Sequence, residues 1–187
     1  MLQHIGMLGE RFDVRPLRRQ LREHPYVWNW ITIRTSFEGS AHREVDDIWI
    51  RYNAFTNWYG DGDAFNGEHV SVWYPIVEEL PDARLLAIEL KERLGAWKLG
   101  GVLITRIPAR KQVYAHVDRG WHAGFYEKFV IQIASAPGQR FCFEDGGLEA
   151  EPGECYWFDN SYSHWVENPT EHERISLIVC LRRNLCH

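Results

Sequence analysis

His116 and Asp118 stand one residue apart in the run Tyr114-Ala115-His116-Val117-Asp118. Alternate residues of a strand share a face, so this imidazole and this carboxylate can reach one cation. The pair alone carries little weight. With 9 His and 26 acidic residues in 187, chance supplies about one His-x-(Asp/Glu), and the other instance, His42-Arg43-Glu44, has the usual meaning of a surface ion pair. Context separates the two. His164 follows the run Pro152-Gly153-Glu154-Cys155-Tyr156-Trp157-Phe158-Asp159-Asn160-Ser161, and Arg174-Ile175-Ser176 begins ten residues after His164. Two imidazoles and one carboxylate on one side of a metal leave positions open for a cosubstrate and dioxygen. An arginine in the same cavity offers a bidentate clamp for a distal carboxylate, and the hydroxyl of Ser176 can support it.

Strands must position these groups. After Gly100, turn residues cut the chain into eight short strands, at 101–107, 113–118, 127–134, 140–143, 148–150, 154–158, 164–167 and 174–181. Eight strands at this spacing predict a β-sandwich or barrel of jelly-roll type. Period two puts Tyr114, His116 and Asp118 on one face. It also sets Lys128 and Gln132 opposite Phe129, Ile131 and Ile133, and Arg174 and Ser176 opposite Ile175, Leu177, Val179 and Leu181. The apolar faces need covering. The polar faces then turn inward, at a cost that a bound metal or polar ligand offsets.

The first half supplies the cover. A helix is expected at 16–23, strand-like segments at 26–34 and 48–52, and a Gly/Asp-rich loop at 59–67. A second helix is expected at 81–94, with Leu85, Leu86, Ile88 and Leu90 buried and Gly95 as its stop. The expectation is therefore an all-β core with flanking helices (α+β), built as one domain over 1–187. Residues 1–99 would pack on a barrel made by 100–182.

Composition removes several classes. The formal charge of -5 disfavours a nucleic-acid coat. No apolar run approaches the roughly 20 residues of a membrane span, and the start of the chain lacks signal-peptide character, so a cytoplasmic location is expected. Cys142, Cys155, Cys180 and Cys186 show no Cys-x-x-Cys spacing and read as reduced, structural thiols. Nine Trp suggest either a walled cavity or a rich core.

The stretch from Pro152-Gly153 through Phe158-Asp159-Asn160-Ser161 to His164, with Arg174 ten residues on, resembles the Fe(II)/2-oxoglutarate-dependent oxygenases of double-stranded β-helix, cupin-like fold. Within them it is similar to the aspartyl/asparaginyl β-hydroxylases. The likeness covers about 100–182 and extends faintly to His42-Arg43 and Ile48-Trp49-Ile50-Arg51. It implies that His116 and His164, joined here by Asp118, bind iron and form the catalytic centre. It further implies that Arg174 holds the side-chain carboxylate of 2-oxoglutarate, and that Thr105 matches the position of an assisting hydroxyl. Ser176, Tyr114 and Lys128 complete the expected cosubstrate wall. Fe(II), 2-oxoglutarate and dioxygen are the implied cofactors, and hydroxylation of an amino acid or a peptide side chain is the implied reaction.

Two departures accompany the likeness. Asp118 is present where the animal members lack a carboxylate ligand. Lys128-Phe129-Val130 stands where the branch carries Arg-x-His, leaving a single point charge. Arg119, Trp121, His42 and Arg43 are the candidate substrate contacts. His122, in a Gly-bordered loop, reads as solvent-facing or substrate-facing, and His172 as part of a solvated turn. The rival reading is a cupin-like metal protein with a non-redox role, a zinc hydrolase or a small-carboxylate sensor. A water-activating zinc site does not require Arg174-x-Ser176.

Overall fold

Turn residues divide the chain much as their chemistry dictates. The computed structural model describes residues 2–184, so the reading of Cys186 lies outside the described residues. In chain order the elements are β1 (Ile5–Arg11), α1 (Arg15–Glu23), β2 (Asp46–Tyr52), α2 (Gly62–Phe65), β3 (Val72–Trp73), α3 (Pro81–Arg93), β4 (Lys98–Ile107), β5 (Gln112–His116), α4 (Trp121–Phe125), β6 (Glu127–Ala134), β7 (Arg140–Phe143), β8 (Gly146–Leu148), β9 (Glu154–Phe158), β10 (His164–Glu167) and β11 (Arg174–Arg182). Two antiparallel sheets result. The larger runs β1-β9-β6-β11-β4-β2-β3 and the smaller β5-β10-β7-β8, the facing sheets of a jelly-roll double-stranded β-helix.

The larger sheet has two different faces, and period two explains both. Phe129, Ile131 and Ile133 of β6 and Leu177 and Val179 of β11 point away from the smaller sheet. They join Leu17 and Leu21 of α1 and Leu86 and Leu90 of α3 in one buried cluster. Burying each such side chain stabilises the fold by about 1.5–3 kcal/mol. The opposite face carries Val130, Tyr156 and Phe158 toward Val113, Phe141 and Val166 of the smaller sheet. It also carries Thr105, Gln132, Arg174 and Ser176, all buried, with Ser176 paired to Thr105 on one side and Gln132 on the other.

Several expectations need correction. Residues 26–34 form no strand: Pro25–Val27 is one 3-10 turn, and Asn29 adopts a left-handed φ of 61°. Asn29 is held there because its backbone and side chain bond the start of β2 at Asp46 and Asp47. The buried stripe of α3 is Ala83, Leu86, Ala87 and Leu90, while Leu85 is exposed, as a three-to-four-residue repeat requires. The fifth strand of the second half lies at Gly146–Leu148, not 148–150. Strand β1, unforeseen, pairs with β9 at the sheet edge and buries little beyond Ile5, so its sequence is only weakly patterned. Cys142, Cys155 and Cys180 are buried free thiols. Among the described residues, no helix is long and apolar enough to cross a membrane.

Candidate metal centre

His116 ends β5 and His164 begins β10, and the two pair directly across the ladder. Each Nδ1 bonds a backbone carbonyl two residues earlier, Tyr114 at 2.8 Å and Tyr162 at 2.9 Å. Those bonds make Nδ1 the protonated nitrogen and leave both Nε2 lone pairs free. Asp118 lies just past β5, where its backbone N–H donates to the carbonyl of Asn160 at 3.1 Å. Its Oδ1 is 3.7 Å from His116 Nε2 and its Oδ2 is 3.8 Å from His164 Nε2. One ligand atom from each of the three falls within 4.8 Å of the others.

Charge states suit a cation. Burial lowers the pKa of His116 and takes that of His164 down to about 4. Burial alone would raise the Asp118 carboxyl, but the Lys128 ammonium and His164 outweigh it and hold it at about 2. Two neutral imidazoles beside an ionised carboxylate can hold a divalent metal while leaving coordination positions open.

Against the trio lies a small chamber of about 50 Å³, walled by Thr105, Tyr156, Arg174, Ser176 and the rings of Phe141 and Phe158, among others. Arg174 is 3% exposed, and its guanidinium donates to Ser176 Oγ at 2.8 Å and to Tyr156 Oη at 3.0 Å. Among the described residues it has no acidic partner. A buried cation without a counter-ion is costly, and a ligand carboxylate would offset that cost. Thr105 lines the chamber, but its hydroxyl donates to Asp47 Oδ1 at 3.0 Å and accepts from Arg34 at 2.8 Å.

Tyr114 is absent from this wall. The β5–β10 register slips by one residue between the His164 and Val166 pairings, so Val113 and His116 both face the chamber. Such a bulge breaks the alternation on which the Tyr114 assignment rests. Tyr114 packs instead under the Arg43 guanidinium, 3.4 Å from its ring centroid.

Above the trio, a groove of about 1360 Å³ opens outward; His116, Asp118, Lys128, Arg34 and His42 line both spaces. His42 sets its ring edge-on to His116 with centroids 4.6 Å apart, and burial keeps it neutral. Arg119 is exposed on the groove wall. Arg43 and Trp121 are not in that wall; Trp121 stacks on Phe125 at 5.0 Å. His122 is not solvent-facing: it is buried on α4, where it lines the groove, and its Nε2 accepts the Gly101 N–H at 3.1 Å. His172 is exposed, in keeping with a solvated turn.

The family model for aspartyl/asparaginyl β-hydroxylases matches residues 34–184. The chain belongs to that family. As an aspartyl/asparaginyl β-hydroxylase family member it is an enzyme of the 2-oxoglutarate-dependent oxygenase class. The cofactors that go with membership are Fe(II), 2-oxoglutarate and dioxygen. Solved structures share its fold. A Pseudomonas putida prolyl-4-hydroxylase is 17% identical with a TM-score of 0.51, covering 97% of this chain and 93% of its own. A Burkholderia pseudomallei oxidoreductase of the 2OG-Fe(II) oxygenase family is 15% identical with a TM-score of 0.54, over 92% and 91%. A viral collagen prolyl hydroxylase from Paramecium Bursaria Chlorella virus-1 is 9% identical with a TM-score of 0.51, over 97% of each chain. No curated protein matches the sequence.

Three polar groups of this β-hydroxylase family member escape a reading by strand parity alone. Arg34 reaches both spaces from a loop, anchored by 2.7 and 2.8 Å bonds to the fully buried Asp47. Tyr156, in an apolar strand, looks like core until its hydroxyl is seen on Arg174.

Proposed function

We propose that His116, Asp118 and His164 hold Fe(II), and that Arg174 takes the side-chain carboxylate of 2-oxoglutarate with Ser176 and Tyr156 beside it. The enzyme then hydroxylates an amino acid or a peptide side chain presented from the outer groove. A single domain carries all of these groups. The observation behind this reading is a vertical order: an acid-free guanidinium at the bottom, a two-histidine, one-carboxylate set above it, and an open groove on top.

When bound together, iron, 2-oxoglutarate and dioxygen supply the oxidising power that turns a C–H bond into C–OH. The protein's own work is positional. Carbonyl bonds to Nδ1 keep both imidazoles facing one point, so no reorganisation is needed as a cation arrives. Arg174 fixes the far end of the cosubstrate with two donors in one plane, which orients its reacting end toward the trio. Phe141, Phe158 and Val166 supply an apolar side to the chamber. His42, Arg34 and Arg119 offer donors to the polar end of a substrate at the groove.

A water-activating zinc hydrolase has no use for a buried arginine lacking a counter-ion, and a carboxylate sensor would release no succinate. A screen of free amino acids and short peptides for stimulated succinate release tests the proposal. Stimulation by at least one substrate class is expected, with loss of the signal in His116→Ala. Release that no compound stimulates and that survives His116→Ala would overturn it.

A further inference from the structure

Lys128 lies at the level of the metal trio, away from the guanidinium below. On β6 it pairs with Cys180 of β11 and Phe158 of β9, whereas Gln132, which pairs with Ser176 beside Arg174, is four residues farther along. That is roughly 13 Å of strand. The Lys128 and Arg174 side chains both line the small chamber, from different levels of it. Lys128 Nζ stands 2.5 Å from Asp118 Oδ2, its sole ion-pair partner among the described residues. The Phe158 ring lies 5.9 Å from the same ammonium, and the side chain is 18% exposed. Asp118 Oδ1, the oxygen 3.7 Å from His116 Nε2, takes no hydrogen bond among the described residues.

From this division of the two oxygens we infer that Lys128 is a positioning residue that makes Asp118 a one-oxygen metal ligand. The inference rests on the metal reading above. A carboxylate that closed both oxygens on the ion would take a place on the face that a chelating 2-oxo acid and dioxygen need. An ammonium locked onto Oδ2 prevents that closure. It does so at a cost, because a cation beside the ligand set opposes the incoming metal. The geometry therefore favours an open face over the tightest grip. Lys128 also differs in this from a cosubstrate anchor, the role the family resemblance gives its position.

Co(II) binding to the whole metal-free protein, without any 2-oxo acid present, separates these roles, because its d–d absorption reports coordination directly. Lys128→Met removes a repelling cation and is expected to bind Co(II) about tenfold more tightly than the parent, with altered d–d bands. It should then bind 2-oxoglutarate to the Co(II) form about tenfold more weakly. Lys128→Gln keeps an N–H donor and should fall between the two; it supplies the same readings if Lys128→Met does not fold. Bands that superimpose on the parent's overturn the inference, whether 2-oxoglutarate binding weakens, which marks a direct cosubstrate contact, or stays unchanged. A parent protein that takes up no Co(II) at all overturns the metal reading as well.

Discussion

His116 and His164 face each other across the β5–β10 ladder with ring centroids 4.4 Å apart, each Nδ1 tied to the carbonyl two residues before it. Both free nitrogens are thereby aimed before any ligand arrives. Removing one of them should strongly weaken metal binding without unfolding the sheet, since His116 is at the groove side and its strand is fixed by backbone pairing. His116→Ala is expected to weaken Co(II) binding at least about 100-fold with an unchanged far-ultraviolet dichroism spectrum. Binding within threefold of the parent would remove His116 from the ligand set.

Arg174 donates to Ser176 and Tyr156 but meets no acid among the described residues. Replacing it with Met deletes an uncompensated buried charge, so the ligand-free variant should melt no lower than the parent. The KM for 2-oxoglutarate should rise roughly 10- to 100-fold, the loss expected for charge-assisted hydrogen bonds. A marked fall in Tm with an unchanged KM would assign Arg174 to the fold instead.

How much of this was visible in the sequence follows from particular residues. Turn residues set the strands, and period two set Lys128, Gln132, Arg174 and Ser176 on the chamber side, because β11 runs regularly against β4 from Arg174 to Val179 and the slip of β6 against β11 falls past Gln132, between it and Ala134. The same rule misassigned Tyr114, since a bulge consumes one residue of β5 and reverses its side chain. Arg34 and Asp47 were out of reach for another reason. Their pairing joins a loop to a strand over 13 residues, and nothing periodic announces it. The solvent-facing reading of His122 failed because an isolated polar residue between glycines reads as loop, whereas its ring is packed between Tyr52 and Tyr126.

Gly153 tests the turn that sets up β9. It adopts φ 91°, its N–H donates to Gln132 O at 2.8 Å, and an added Cβ would stand 2.7 Å from the Phe12 carbonyl oxygen. The Phe12 N–H in turn donates to Gly153 O at 2.8 Å, so the carbonyl cannot move away freely. Gly153→Ala should lose about 2–4 kcal/mol in chemical denaturation. A loss under about 0.5 kcal/mol would mean the turn is not under this constraint.

Acid should weaken the metal-free protein in a defined window. Burial holds His164 near 4 and His122 near 3 in the folded state, against an ordinary value of 6.5, and it lowers His116 and His42 in the same sense. Between those values the unfolded chain carries protons that the folded chain refuses. Stability is therefore full above about pH 6.5 and declines as pH falls toward 4. Asp118, at about 2 against 3.8, extends the loss at lower pH, again because the unfolded state binds the proton first. Denaturation midpoints should fall steadily from pH 6.5 to 4.5. A flat profile over that range would contradict the burial of these imidazoles.

Anaerobic addition of Fe(II) and then 2-oxoglutarate to the purified protein bears most directly on the whole account. A weak visible metal-to-ligand charge-transfer band should grow to saturation with 2-oxoglutarate, and it should be missing in His116→Ala. A protein that binds Fe(II) yet develops no such band at saturating 2-oxoglutarate would contradict the account.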